Sequence, residues 1–205
     1  MAINTLAIVQ ARFGSVRFPG KILKEVNGFP LIQILFHRLS QSKKIDKIIL
    51  ATSKNIENDS LAILINNLGY DVFRGNELDV LDRYYNAAEK FKAETIVRIT
   101  GDCPIIDPHI VDRVISIYDK GNVDYVSNTL VPTYPDGLDV EVFSFRALKM
   151  AQTKAKKPFD REHVTPFIKS NDQFIRKNVE NNVDLLVIEV TNVFSPLTDP
   201  DVKRL

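Results

Sequence analysis

A chain of 205 residues with 44% apolar side chains suits one globular domain with a core of ordinary size. Lysine plus arginine (27) nearly cancels aspartate plus glutamate (26), which argues against nucleic acid or a membrane surface as a partner held by bulk charge. The single cysteine, Cys103, excludes an internal disulfide and fits a reducing cytoplasm; no stretch approaches the ~20 apolar residues that span a bilayer, and Asn4 and Thr5 interrupt any signal-peptide pattern.

Residues 6–9 form an apolar run that predicts a strand. Residues 30–42 predict a helix, with Leu31, Leu35 and Leu39 on one face and Pro30 in the first turn. A second strand is expected over 45–51. A helix follows over 58–68, with Leu61, Leu64, Ile65 and Leu68 inward and Gly69 as its stop. Residues 71–73 read as a short strand, and 80–91 as a helix with Leu81, Tyr84, Ala88 and Phe91 in register. Residues 96–100 read as a strand ending in Gly101-Asp102-Cys103-Pro104. Asp107-Pro108 then starts a helix carrying Val111, Val114, Ile115 and Tyr118. Beyond residue 120 the pattern is less regular. Residues 140–143 alternate as a strand, Ser144 caps a helix through Ala155, and Lys156-Lys157-Pro158 breaks it; 174–179 and 185–190 read as strands.

This alternation predicts an α/β fold, a mostly parallel central sheet with helices on both faces. One domain is expected over 1–205, with an irregular insertion at about 128–172 that closes over a substrate or pairs two subunits. In open sheets of this sort ligands bind beyond the carboxyl ends of the strands. Residues 10–21, Thr52-Ser53 and 101–104 each follow a predicted strand, so they are expected to converge on one edge.

The loop after the first strand reads Ala11-Arg12-Phe13-Gly14-Ser15-Val16-Arg17-Phe18-Pro19-Gly20-Lys21. Glycines let the backbone approach a ligand closely, and free N–H groups in such a loop form a nest for anions. Arg12, Arg17 and Lys21 add full positive charge, which suits a triphosphate. The loop matches neither the P-loop nor the dinucleotide fingerprint, and its plainer reading is a solvated basic turn. Asp102, a carboxylate at a strand end, suits Mg²⁺, which takes carboxylate and phosphate oxygens; otherwise it caps a turn. Cys103 reads as a small buried residue rather than a nucleophile. Tyr134-Pro135-Asp136-Gly137-Leu138-Asp139-Val140-Glu141 carries three acids around a turn and is either a connecting loop or a wall of an acceptor pocket. Asp160-Arg161-Glu162-His163 is a charged helix start or a substrate-reading cluster. His37 and His109 read as structural.

In order and spacing these motifs resemble the cytidylyltransferase family of the spore-coat polysaccharide biosynthesis type, related to the synthetases of CMP-activated sugar acids. The matching residues are Gln10-Ala11-Arg12, Ser15, Arg17 with Pro19-Gly20-Lys21, Ala51-Thr52-Ser53, Arg74-Gly75 and Asp79-Val80-Leu81-Asp82-Arg83-Tyr84. Further along they are Arg98 with Thr100-Gly101-Asp102-Cys103-Pro104, Asp124-Tyr125, Ser127-Asn128, the Tyr134 to Glu141 run and Arg161-Glu162-His163-Val164-Thr165. The likeness spans about residues 6 to 170.

The resemblance implies a Rossmann-like nucleotidyltransferase fold. It also implies transfer of CMP from CTP to a sugar acid, sugar phosphate or other small phosphorylated acceptor, with release of pyrophosphate, for a surface polysaccharide. Under it Arg12, Arg17, Lys21 and Asp102 are the catalytic set. Gln10, Ala11, Arg12, Gly14, Ser15, Lys21, Ala51, Thr52, Ser53, Arg74, Thr100 and Gly101 hold the nucleotide. Asn128, Tyr134, Asp136, Asp139, Glu141, Arg161 and His163 read the acceptor. Mg²⁺ is the implied cofactor, with Asp102 as one ligand. Asp199 is the second, within Leu197-Thr198-Asp199-Pro200-Asp201-Val202, where the family carries Thr-Val-Asp followed by Pro-Glu-Asp. The implied partners are CTP, a small-molecule acceptor and a second copy of the chain in a homodimer. The alternatives are a nucleotide-binding module without catalysis and a transferase using another nucleoside triphosphate.

Overall fold

Strand β1 (Ile3–Gln10) is buried from Thr5 to Val9 without interruption, as a strand covered on both faces must be. The computed structural model describes residues 3–14 and 20–181. After β1 come a short hairpin of β2 (Glu25–Val26) and β3 (Phe29–Pro30), helix α1 (Leu31–Leu39), β4 (Lys47–Ser53), α2 (Asp59–Asn67) and β5 (Asp71–Gly75). Then follow α3 (Val80–Lys90), β6 (Ala93–Thr100), α4 (Pro108–Asp119), β7 (Tyr125–Ser127) and β8 (Glu141–Ser144). Helices α5 (Phe145–Lys154), α6 (Pro158–His163) and α7 (Pro166–Ser170) precede β9 (Arg176–Asn178).

The sheet order is β5-β4-β1-β6-β8-β7-β9. The pairs β5–β4, β4–β1 and β1–β6 are parallel, while β8 runs antiparallel to both β6 and β7, and β9 is parallel to β7. The chain therefore winds outward from β1 through β4 to β5, then crosses to β6 on the other side of β1. Such a reversal opens a crevice at the carboxyl ends of the strands. Two cores cover the sheet. On one face Ala7, Val9, Val97 and Ile99 pack with Leu35 and Leu39 of α1, Ile65 of α2 and Val111 and Ile115 of α4. On the other, Leu6, Ile8, Ile49 and Ile96 pack with Tyr84 and Ala88 of α3 and Leu148 and Ala151 of α5.

Several boundaries differ from expectation. Helix α1 stops at Leu39 rather than at residue 42, because Asp112 draws the next turn away: its carboxylate accepts from the Ser42 hydroxyl and from the Lys43 and Lys44 N–H groups. The strand expected over 174–179 is confined to Arg176–Asn178. Strands β2, β3 and β7 and helix α7 were not anticipated; elements of two to five residues are too short to display a period. The strand expected over 185–190 lies outside the described residues.

The strand ends meet closely. The Gly101 N–H donates to the Gln10 carbonyl at 2.8 Å, and a Cβ on Gly101 would lie 2.6 Å from the Ala11 Cβ and 3.0 Å from the Gln10 oxygen. Backbone cannot yield there as a flexible side chain would. Gly101→Ala is therefore expected to cost about 1–3 kcal/mol, read as a lower urea midpoint at unchanged slope. An unchanged midpoint contradicts the packing described.

Candidate functional site

The loop after β1 is pinned at both ends by Phe13. Its N–H donates to the Asn58 side-chain carbonyl at 2.8 Å, and its own carbonyl accepts from the Gly20 N–H at 3.0 Å. Gly20 has φ of +71°, and a Cβ there would meet the Phe13 ring at 3.0 Å, so glycine fits both the turn and the contact. A Cβ on Gly14 would lie 2.8 Å from a Glu57 carboxylate oxygen. Arg12 pairs with Glu77 at 3.0 Å and lies 4.0 Å from Glu162. Ser15 and Arg17 lie outside the described residues.

From the opposite strand end, Asp102 reaches into the same place. The Lys21 ammonium donates to its carboxylate at 2.9 Å. Burial pushes the Asp102 carboxyl up, but the hydrogen bond and charge of Lys21, with Thr100, outweigh it and hold the acid below its ordinary value. The Cys103 thiol is pushed up to about 12 by burial, which leaves it neutral and unreactive beside Thr100.

The end of β4 forms the third side. Ala51, Thr52 and Ser53 are fully buried, and the Thr52 hydroxyl has no hydrogen-bond partner among the described residues. Arg74 is committed locally: it donates to the Ser53 carbonyl at 3.0 Å and the Asn55 carbonyl at 2.9 Å and pairs with Asp59 at 2.6 Å. Gln10, Ala11, Thr52, Ser53, Thr100, Gly101, Asp102 and Lys21 thus converge on one edge of the sheet.

Beside them lies a cavity of about 230 Å³ lined by Arg98, Thr100, Thr129, Asp139, Glu141 and Lys169. Glu141 is its hub. One carboxylate oxygen pairs with Arg98 across the β6–β8 register; the other accepts from Tyr125 at 2.6 Å, Thr165 at 2.8 Å and Lys169 at 2.5 Å. Burial alone would raise the Glu141 carboxyl, yet Arg98 and Lys169 bring it down to about 2. Asp139 goes the other way, raised to about 6 by burial and by Asp136 and Glu141. In the cavity, Arg98 and Lys169 therefore balance Glu141, and Asp139 stands as the adjustable charge.

Other residues expected to read an acceptor hold the scaffold. Asn128 is buried and clips its loop by bonds to the Leu138 carbonyl and the Val140 N–H, both 2.8 Å. The Tyr134 hydroxyl accepts from Arg113 at 2.9 Å. Arg161 ties α6 to the start of α3, meeting Asp79 at 2.5 Å and the Gln152 carbonyl at 2.7 Å. Asp136 is exposed and accepts from the Gly137 N–H, and His163 packs against the Phe159 ring at 4.5 Å. Sequence reasoning had not singled out Asn58, Glu77, Thr129 or Lys169. They reach the site from distant positions, and no local pattern marks them.

At this edge Asp102 is the carboxylate whose chemistry suits Mg²⁺. Asp102 is a partly exposed carboxylate at the edge of a basic loop, and Mg²⁺ usually binds through one or two carboxylates plus phosphate oxygens and water. Among the described residues no three His, Cys, Asp or Glu side chains form an all-protein cage, which a site of that kind does not require. Asp199 lies outside the described residues. Among those residues no helix is long and apolar enough to cross a membrane.

The cytidylyltransferase family pattern matches residues 6–194. The chain is similar to an uncharacterized protein of Methanocaldococcus jannaschii, with 43% identity over 174 residues, 85% of this chain and 70% of the relative. It is similar to the spore coat polysaccharide biosynthesis protein SpsF of Bacillus subtilis, with 36% identity over 178 residues, 84% and 73% of the two chains. Among solved structures it resembles a cytidylyltransferase from Leptospira borgpetersenii, with a TM-score of 0.84 and 29% identity, covering 91% of this chain and 79% of the other. The chain belongs to the cytidylyltransferase family.

The Glu141 hub has a pH signature. Its folded-state pKa is lowered from the ordinary 4.5, so its contribution is fully present above that pH and is lost as pH falls towards about 2. Glu141→Gln strands Arg98 and Lys169 and is expected to cost about 3–5 kcal/mol at neutral pH. Urea titrations across pH 2–7 check both: the variant's acid-side decline should be shallower than that of the wild type by the Glu141 contribution. Parallel profiles at equal stability count against the hub.

Proposed function

From that family membership we propose that the chain is a Mg²⁺-dependent transferase moving CMP from CTP to a small acceptor of surface-polysaccharide synthesis, with release of pyrophosphate. The acceptor class is a sugar acid, a sugar phosphate or another small phosphorylated alcohol. The observation that carries the reading is the Lys21–Asp102 contact at 2.9 Å. It joins the cationic loop after β1 to the carboxylate after β6, the two groups to which this reading assigns the phosphates and the metal. The polysaccharide assignment is supported by the spore coat polysaccharide biosynthesis role of the Bacillus relative.

In this reading the acceptor oxygen attacks the α-phosphorus. A new P–O bond forms, the bond to the oxygen bridging the α and β phosphates breaks, and pyrophosphate leaves with that electron pair. Arg12 and Lys21, exchanging Glu77 and Asp102 for phosphate oxygens, balance the charge of the triphosphate. Bound Mg²⁺ would supply further neutralisation of the phosphates at Asp102. A hydroxyl acceptor must give up a proton. Asp139, titrating near 6 in the adjoining cavity, is the group suited to take it; a phosphate acceptor needs no base. The reading includes a cytoplasmic site of action, since the reaction consumes CTP. It also includes a homodimer paired through the 128–172 region, where Val131 and Phe159 expose large apolar surface.

Asp102→Asn and Lys21→Ala are each expected to lower turnover at least about 100-fold. Pyrophosphate release with CTP, Mg²⁺ and a panel of sugar-acid and sugar-phosphate acceptors measures it, with ATP, GTP and UTP as competitors. Wild-type turnover in either variant refutes the assignment. No release with any acceptor, together with no CTP binding by calorimetry, refutes the activity.

A further inference from the structure

Asn58 occupies the N-cap position of α2, where an asparagine side chain ordinarily accepts from the helix's first N–H groups. Here it makes no such bond. The side chain is fully buried and turned to the other side, towards the strand ends. Its carbonyl accepts from the Phe13 N–H at 2.8 Å, and its amide nitrogen donates to the Ser53 hydroxyl at 2.8 Å. The partners fix which end is which, since the Phe13 N–H can only donate. The Ser53 hydroxyl also accepts from the Asn55 N–H at 3.2 Å, so the bridge is anchored at the end of β4.

The path continues beyond Phe13. The Phe13 carbonyl accepts from the Gly20 N–H, Gly20 precedes Lys21, and Lys21 pairs with Asp102. Asn58 thus holds both flanks of the cationic loop through one residue while gripping the neighbouring strand end. Forgoing a helix cap and burying a whole amide are both costs to stability. The two bonds they permit serve the loop, not the helix.

We infer that Asn58 is a positioning residue for the described ends of the phosphate-binding loop, holding Phe13, and through it Gly20 and Lys21, against the end of β4 and so matching the phosphate grip to the nucleoside side of the site. This rests on the reading of the 10–21 loop as the triphosphate grip. Asn58 touches no substrate; it acts through Phe13.

Calorimetric titration of the full chain with CTP and with cytidine tests it, since cytidine lacks the phosphates. In Asn58→Leu, CTP affinity should fall at least about tenfold while cytidine affinity changes less than about twofold. Should Asn58→Leu fail to fold, Ser53→Ala removes one of the two bonds and should still show a loss larger for CTP than for cytidine. Wild-type CTP affinity in the variant that folds, or equal losses for both ligands, overturns the inference. A wild-type chain that binds CTP no better than cytidine instead overturns the phosphate-grip reading beneath it, and the inference falls with it.

Discussion

Parallel pairing of β1 with β4 on one side and β6 on the other is the constraint on which the site depends. Parallel neighbours release their chains at the same edge of a sheet. Residues some 40 and 90 positions beyond β1 in sequence therefore emerge beside it. The ladder brings the strand ends together, and the Phe13–Gly20 bond then returns Lys21 to the end from which Asp102 emerges. The ladder also sets the tolerance. With Gln10 opposite both Ala51 and Thr100, the next residues are so close that only Gly101 fits against Ala11. That closeness puts all three strand ends within reach of one small molecule.

Most of the charge at this edge is internally balanced, and exposure divides the pairs into two kinds. Lys21 and Asp102 keep 34% and 48% of their side-chain surface in water, and Arg12 keeps 35%. Pairs so exposed are worth about a kcal/mol or less, so a polyphosphate or a divalent cation can exchange for one partner at small cost. Arg98 and Glu141 retain 14% and 3%, and separating them would leave a buried charge uncompensated. The exchangeable pairs lie where a ligand's charge would enter, and the fixed pair forms the wall behind. Arg83 extends the fixed set: fully buried, it donates to the Asn76 carbonyl at 2.6 Å and steadies the turn that presents Glu77 to Arg12.

The first half of the chain was readable because its signals are local and long enough to repeat. Helix α3 shows the 3.6-residue period over three turns and begins at Asp79, whose carboxylate accepts from the Asp82 N–H. Strands β1 and β4 carry the apolar runs expected of a sheet covered on both faces. From this alternation the edge on which Lys21, Ser53 and Asp102 meet follows without coordinates. The elements after residue 120 are short, and their strand pairing is partly antiparallel. Strand β7, three residues long, owes its existence to β8 and β9 on either side rather than to its own sequence. The Glu141 hub was illegible for the same reason: Arg98, Tyr125, Thr165 and Lys169 are scattered over 72 positions and meet only once the sheet is formed.

A motif match identifies residues that a fold keeps together, and this site separates two reasons for keeping them. Lys21 and Asp102 are near the surface, paired weakly and free to change partner, which is what ligand contact requires. Asn128, Tyr134, Arg74 and Arg161 belong to motifs of equal clarity, yet each has its polar atoms committed to backbone or to a fixed neighbour. Arg161 is the sharpest instance. Its guanidinium joins the carboxylate that caps α3 to a carbonyl near the end of α5, so replacing it would loosen α6 even if no acceptor came near. An acceptor in the adjoining cavity would instead meet the Asp139 carboxyl and the Thr100 and Thr129 hydroxyls, which have bonding capacity beyond their contacts with Cys103 and Ser127. One adjustable carboxylate among hydroxyls can distinguish acceptors by hydrogen bonding, and it can do so without disturbing the charge balance that holds the wall.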